Sequence, residues 1–257
     1  MVYKVAVIHN SRIFEYGKIR GGVERRIFEL LRAFPLNTKY HITLITRDEY
    51  HIIKKQLLNV RNDIYFFKIR TPYIIHPVTF SLTGVEIIRK LKKDKFDMIN
   101  SFLDISFHIA LYKKMRSASK LPILLHFTEA FLLDEAIHMF KNLTEEYKLN
   151  FSTITNYSKT IYHFLRALLE IEGIKGADYI IAPSNYIKTK ILKFVSDVER
   201  DKIFVLYSGV NMNEFTNFND KDLKLFKQRL IGECSDSTVI LLSLIHISEP
   251  TRPLYIS

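Results

Sequence analysis

Residues 3–34 read YKVAVIHNSRIFEYGKIRGGVERRIFELLRAF, and this stretch decides the fold class. Tyr3–His9 is a short apolar run with the continuous character of a strand buried on both faces. Val23, Ile27, Leu30, Leu31 and Phe34 then recur at helical spacing, which draws one apolar stripe along a helix. Pro35 ends that helix, because it has no N–H to donate and its ring clashes with the preceding turn. Between strand and helix lies a polar loop that closes on Arg20-Gly21-Gly22.

The same alternation continues outward. Strands are predicted at His41–Thr46 (HITLIT), Asp63–Ile69 (DIYFFKI), Phe96–Phe102 (FDMINSF), Pro122–Phe127 (PILLHF), Asp178–Ala182 (DYIIA) and Ile203–Tyr207 (IFVLY). Helical patterns cover Tyr50–Leu58, Val85–Lys92, Ile105–Met115 and Tyr186–Phe194. Phe131–Lys175 is rich in Leu, Glu, Lys and Tyr and nearly free of Gly and Pro, so it reads as two or more helices. Strands separated by helices need right-handed crossovers and build a parallel sheet. The predicted fold is therefore α/β: a doubly wound, Rossmann-like parallel sheet. Ligands of such sheets sit at the carboxyl ends of the strands, near the point where the strand order reverses.

Composition bounds the class. With 257 residues, 47% hydrophobic and 25% charged, the chain has material for a sizeable core and lacks the depletion typical of disorder. A single cysteine, Cys234, cannot staple a fold. Neither a signal peptide nor a run of ~18 apolar residues is visible, so the expected location is cytoplasmic. The net charge of +11 points to an anionic partner or to a generally basic proteome. No nucleic-acid motif accompanies the charge, so a nucleic-acid partner is not expected. Val85–Lys93 and Ile105–Lys120 carry Arg89, Lys92, Lys93, Lys113, Lys114 and Arg116 beside apolar faces. Such helices either lie on anionic membranes or form solvated surfaces.

Three places carry candidate chemistry. Paired glycines opening a helix, as in Arg20-Gly21-Gly22-Val23-Glu24-Arg25, expose free N–H groups to an anion such as a diphosphate. The set lacks the spacing of a dinucleotide fingerprint and the Gly-Lys-Ser/Thr of a P-loop. Asn10 follows the first strand and His126 ends the fifth, which puts both at the carboxyl edge. Ala177-Asp178-Tyr179-Ile180-Ile181-Ala182-Pro183-Ser184 is a strand running into a serine helix cap. Gly209-Val210-Asn211 follows the last strand, with Phe215 soon after.

This ordered set resembles glycosyltransferase family 4, of GT-B architecture, over about residues 1–241. The resemblance implies an amino-terminal, acceptor-side domain over 1–235 and the start of a donor-binding domain at 236–241. It implies that Gly21 and Gly22 lie near the donor phosphates and the acceptor. His126 matches the strand-end histidine that contacts the donor sugar, although Phe127 follows where the family has Asp. Asn10, Gly21, Gly22 and His126 are the first candidates for the cleft; Arg20, Glu24 and Arg25 are the second. No bound cofactor or metal is implied, and the donor substrate is a nucleotide-diphosphate sugar.

Leu242–Ser257 (LSLIHISEPTRPLYIS) resembles no part of that family and reads like translated sequencing adapter. The expectation is an artefactual tail over 242–257 and a truncated, inactive fragment. Its parent would be a retaining hexosyltransferase of cell-envelope, polysaccharide or glycolipid synthesis. The acceptor would be a glycan or lipid-linked sugar, with peripheral contact to the inner membrane face. Two alternatives stand beside it: a sugar-nucleotide epimerase of the same architecture, and a non-catalytic basic module that binds a membrane or polymer.

Overall fold

The computed structural model describes residues 2–15, 18–19, 21–33, 39–58, 63–71, 76–115, 122–128, 131–145, 151–207, 209 and 225. Two compact units divide the chain, Met1–Ser208 and Gly209–Ser257. The sheet, its helices and the cavity belong to the first unit. The expected boundary at residues 235–236, the segment 236–241 and the tail 242–257 all lie outside the described residues.

All seven predicted strands form, in one parallel sheet. They are β1 (Tyr3–Ile8), β4 (Tyr40–Thr46), β5 (Ile64–Lys68), β6 (Met98–Phe102), β7 (Ile123–Phe127), β8 (Tyr179–Ala182) and β9 (Ile203–Val205). Their order is β5-β4-β1-β6-β7-β8-β9, so the direction of winding reverses between β1 and β6. A short hairpin, β2 (Phe14–Glu15) with β3 (Lys18–Ile19), precedes the first helix. Two-residue strands carry no periodicity, so the pattern of apolar residues does not reveal them.

The helices are α1 (Gly22–Ala33), α2 (Tyr50–Ile53), α3 (His76–Asp94), α4 (Ser106–Lys114), α5 (Leu132–Glu145), α6 (Phe151–Lys175) and α7 (Asn185–Phe194). The stretch predicted as one helix over Tyr50–Leu58 changes to a π-helical turn at Lys54–Leu58. α3 begins well before Val85, because Phe80, Ile87 and Leu91 continue the stripe and Thr83 buries on the same face. The Thr83 hydroxyl donates to the Thr79 carbonyl, which lets a polar side chain sit inside. Ser184 caps α7 as expected, accepting from Ile187 N at 3.3 Å.

Successive strand residues face opposite ways, and both faces are covered. Ala6, Ile8, Ile45, Ile99, Leu124 and Ile180 pack with Ile87, Ile109 and Ile191 on one side. Val7, Ile42, Leu44, Phe102 and Phe127 pack with Ile27, Leu31 and Ile53 on the other. On the first side α4 and α6 approach closely at glycines. A Cβ on Gly176 would stand 2.4 Å from that of Ala110, and one on Gly173 would stand 2.9 Å from Phe107 N. This close approach holds α6 against the carboxyl end of β6.

Candidate functional site

A cavity of about 1190 Å³ opens at the carboxyl ends of β1, β4, β5 and β6, around the reversal of winding. Each wall is the residue or two that follows a strand. His9 and Asn10 follow β1, Arg47 follows β4, Arg70 and Thr71 follow β5, and Leu103 and Asp104 follow β6. Gly21, Val23 and Glu24 bring the start of α1 into the same space.

His9 and Glu24 meet there. His9 Nε2 lies 3.1 Å from Glu24 Oε1 and 2.8 Å from Ser11 Oγ, and Ser11 donates to the same carboxylate oxygen at 3.2 Å. The ring is nearly enclosed and stands edge-on to Phe102. Burial works to raise the Glu24 carboxyl, but the hydrogen bond and charge of His9, its own backbone N–H and Ser11 hold it below the usual value. Glu24 thus stays ionised in the first turn of α1, where the helix dipole favours an anion.

Arg47 fixes the neighbouring wall. Its Nε donates to Asn10 O at 3.0 Å, its Nη1 to Thr71 O at 2.6 Å and its Nη2 to Thr83 Oγ1. One planar fork therefore sets the loops after β1 and β5 against α3. Asp48, fully buried, organises the loop after β1 from below. Its carboxylate accepts from Ile13 N at 2.8 Å, Phe14 N at 3.0 Å and Thr46 Oγ1 at 2.7 Å.

The floor is Leu103-Asp104 with Arg166 of α6. Leu103 has φ 54°, the left-handed region that a side chain disfavours. Arg166 Nε donates to Asp104 Oδ2 at 2.6 Å.

Of the residues expected in the cleft, Asn10, Gly21 and Glu24 line the cavity together. Gly22 starts α1, and a Cβ there would meet nothing within 4 Å, so crowding does not demand glycine. Arg25 is exposed and pairs with Glu29 at 2.9 Å on the outer face of α1. Arg20 lies outside the described residues.

His126 is not in the cavity wall; it is 0% exposed, inside the core at the end of β7. Its Nδ1 lies 2.6 Å from Ser106 Oγ, which is 2.5 Å from Ser101 Oγ. Its Nε2 lies 3.8 Å from Glu170 Oε1, also fully buried. Burial drives the imidazole down to about 3 and the Glu170 carboxyl up to about 8, so both are neutral at pH 7. Alternation along β7 is the reason: His126 shares its face with Leu124, which packs in the core beside Ile109. His9 and Arg47 also line the cavity, and the sequence motifs do not mark them. Both stand directly after a strand, the one signal that points to them. Arg166 sits mid-helix, and nothing in the sequence links it to Asp104.

Among the described residues no group of three His, Cys, Asp or Glu side chains is placed to hold a metal ion, and no helix is long and apolar enough to cross a membrane.

A doubly wound sheet with its cavity at the switch point defines a Rossmann-like domain. The profile described as Glycosyltransferase Family 4 matches residues 20–214, and the chain belongs to that family. Among solved structures, the sucrose-phosphate synthase of Thermosynechococcus elongatus is similar over 87% of this chain and 52% of its own, at 13% identity and TM-score 0.59. Similarity also extends to the lipopolysaccharide outer core galactosyltransferase WaaB (81% and 46% covered, 16% identity, TM-score 0.48). The UDP-GlcNAc 2-epimerase of Methanocaldococcus jannaschii is similar over 79% and 45%, at 18% identity and TM-score 0.46. The chain spans about half the length of these structures. No curated protein matches it by sequence.

Proposed function

We propose that this chain is the acceptor-side half of a retaining hexosyltransferase. It would take a sugar from a nucleotide-diphosphate donor and serve cell-envelope, polysaccharide or glycolipid synthesis. The observation that carries the reading is the convergence of Asn10, Gly21 and Glu24 on one cavity at the switch point, within a chain of glycosyltransferase family 4.

In this reading the ionised Glu24, held by His9 and Ser11, orients a sugar hydroxyl, and the backbone at Gly21 leaves room for the diphosphate to approach. The leaving diphosphate needs cationic or backbone donors for its developing charge. We assign those to the donor-binding half of the parent, so residues 1–257 alone are proposed to be inactive. The proposed acceptor is a glycan or lipid-linked sugar. The exposed outer face of α3, with Val85, Arg89, Lys92 and Lys93, supports peripheral contact with an anionic membrane.

The test uses the full-length gene product with a panel of nucleotide-diphosphate hexoses, with anomeric configuration read by proton NMR. Transfer with retention is expected, together with a large fall in kcat for Glu24→Gln. An inverted product, or transfer indifferent to Glu24→Gln, contradicts the assignment.

A further inference from the structure

The β4–β5 side of the cavity has cations whose neighbouring acids are already engaged. Asp48, beside Arg47, spends both oxygens on Ile13 N, Phe14 N and the Thr46 hydroxyl. Glu86 turns its carboxylate to the backbone of the loop after β5. It accepts from Arg70 N at 2.9 Å, from Thr71 N at 3.0 Å and from Thr71 Oγ1 at 2.5 Å. Glu49 pairs with Lys68. On the other side of the cavity, Glu24 is held by His9 and Asp104 by Arg166.

That leaves Arg12 and Arg70. Both are exposed and both line the cavity. Neither guanidinium hydrogen-bonds to a described residue, although Arg12 feels the charge of Glu49. A guanidinium presents a planar fork of N–H donors that matches two oxygens of one oxyanion. Arg12 and Arg70 line one cavity in which Asp48 and Glu86 accept from backbone and hydroxyl donors, Glu49 pairs with Lys68 and Glu15 is engaged as well, so their two forks offer a recognition surface for a negative group.

We propose that Arg12 and Arg70 form an oxyanion seat in the cavity, and that the acceptor carries a phosphate or carboxylate that occupies it. Arg70 follows β5, and Arg12 follows Ser11, which donates to Glu24 at 3.2 Å, so both arginines face the cavity that holds the His9–Glu24 pair. An anionic acceptor held there would reach toward Glu24 with its uncharged end. The acceptor meaning rests on the transferase reading above; the seat itself does not.

The experiment measures binding by calorimetry with purified 1–257 and no donor present. Glucose, glucose 6-phosphate and glucuronate are the probes. Saturable binding is expected for an anionic probe and not for glucose, weakening as salt is raised. A preference for glucose 6-phosphate assigns the seat to phosphate, and a preference for glucuronate assigns it to carboxylate. The double variant Arg12→Gln/Arg70→Gln should weaken the anion at least about tenfold, as loss of charge-assisted hydrogen bonds does, while its melting temperature stays put. Lys193→Gln, exposed on α7 and outside the cavity, should leave binding unchanged. Equal binding of glucose, no binding of either anion, or an equal loss in Lys193→Gln overturns the proposal. Transfer can fail in the parent with this binding intact, and this binding can fail with transfer intact, so the two readings fall separately.

Discussion

Arg166 Nε donates to Asp104 Oδ2 at 2.6 Å and so ties the middle of α6 to the turn leaving β6. The pair joins residues far apart in sequence at the cavity floor, and Asp104 is nearly buried. Removing one partner strands the other charge, so Asp104→Ala or Arg166→Ala should each cost ~2–3 kcal/mol. The double variant should cost clearly less than the sum, because the stranded charge goes too. Urea unfolding of the four proteins measures this, and strict additivity would show that the contact carries no coupling.

The buried pair behind the floor shapes stability against pH. Glu170 rises from 4.5 to about 8, first because burial penalises its charged form. Between those values the folded chain holds a proton that the unfolded chain releases, so stability falls as pH rises through the window. His126 falls from 6.5 to about 3 by burial, and stability is lost as pH drops through that range. Glu170→Gln should remove the loss on the alkaline side while keeping the acid side. Melting temperatures from pH 5 to 8.5 check it; an unchanged alkaline slope would assign that loss to other groups.

Gly176 lies where α6 meets α4, and an added Cβ would sit 2.4 Å from the Cβ of Ala110. Overpacking of this kind costs ~1–3 kcal/mol, which is the expectation for Gly176→Ala. Adding Ala110→Gly should return part of the loss, since it removes the atom that clashes. Denaturation midpoints of the single and double variants decide it.

Leu103 takes φ 54° at the cavity floor. Left-handed backbone costs a residue with a Cβ ~1–2 kcal/mol, and a β-branched one more. Leu103→Gly should therefore be more stable than Leu103→Val by about 1–2 kcal/mol. A reversed ranking in chemical denaturation would mean that side-chain packing outweighs the backbone there.

Parallel strands buried on both faces announce themselves as continuous apolar runs, which is why YKVAVIH, HITLIT and PILLHF are readable as strands. Gly21-Gly22-Val23-Glu24 is readable as a helix entrance for the same local reason. What escapes depends on partners distant in sequence. His126 has the right place at a strand end, but the orientation of its side chain follows from the alternation along β7, and that face belongs to the core. Arg47 looks like any surface arginine until the loops after β1 and β5 come within its reach. Thr83 hides the first turns of α3, because a hydroxyl that bonds back to its own helix counts as polar in a pattern and as core in the fold.

The strand order β5-β4-β1-β6-β7-β8-β9 has a bearing on synthesis at the ribosome. β4 finds β1 already made, and β5 finds β4; β6 then docks on the free side of β1, and β7, β8 and β9 each add to the strand before them. No strand of this sheet has to wait for a partner not yet translated, nor be inserted between two that have already paired. The sheet can grow in the order the chain emerges, with the wall that carries His9 and Glu24 assembled first and the floor that carries Asp104 closed only when α6 arrives.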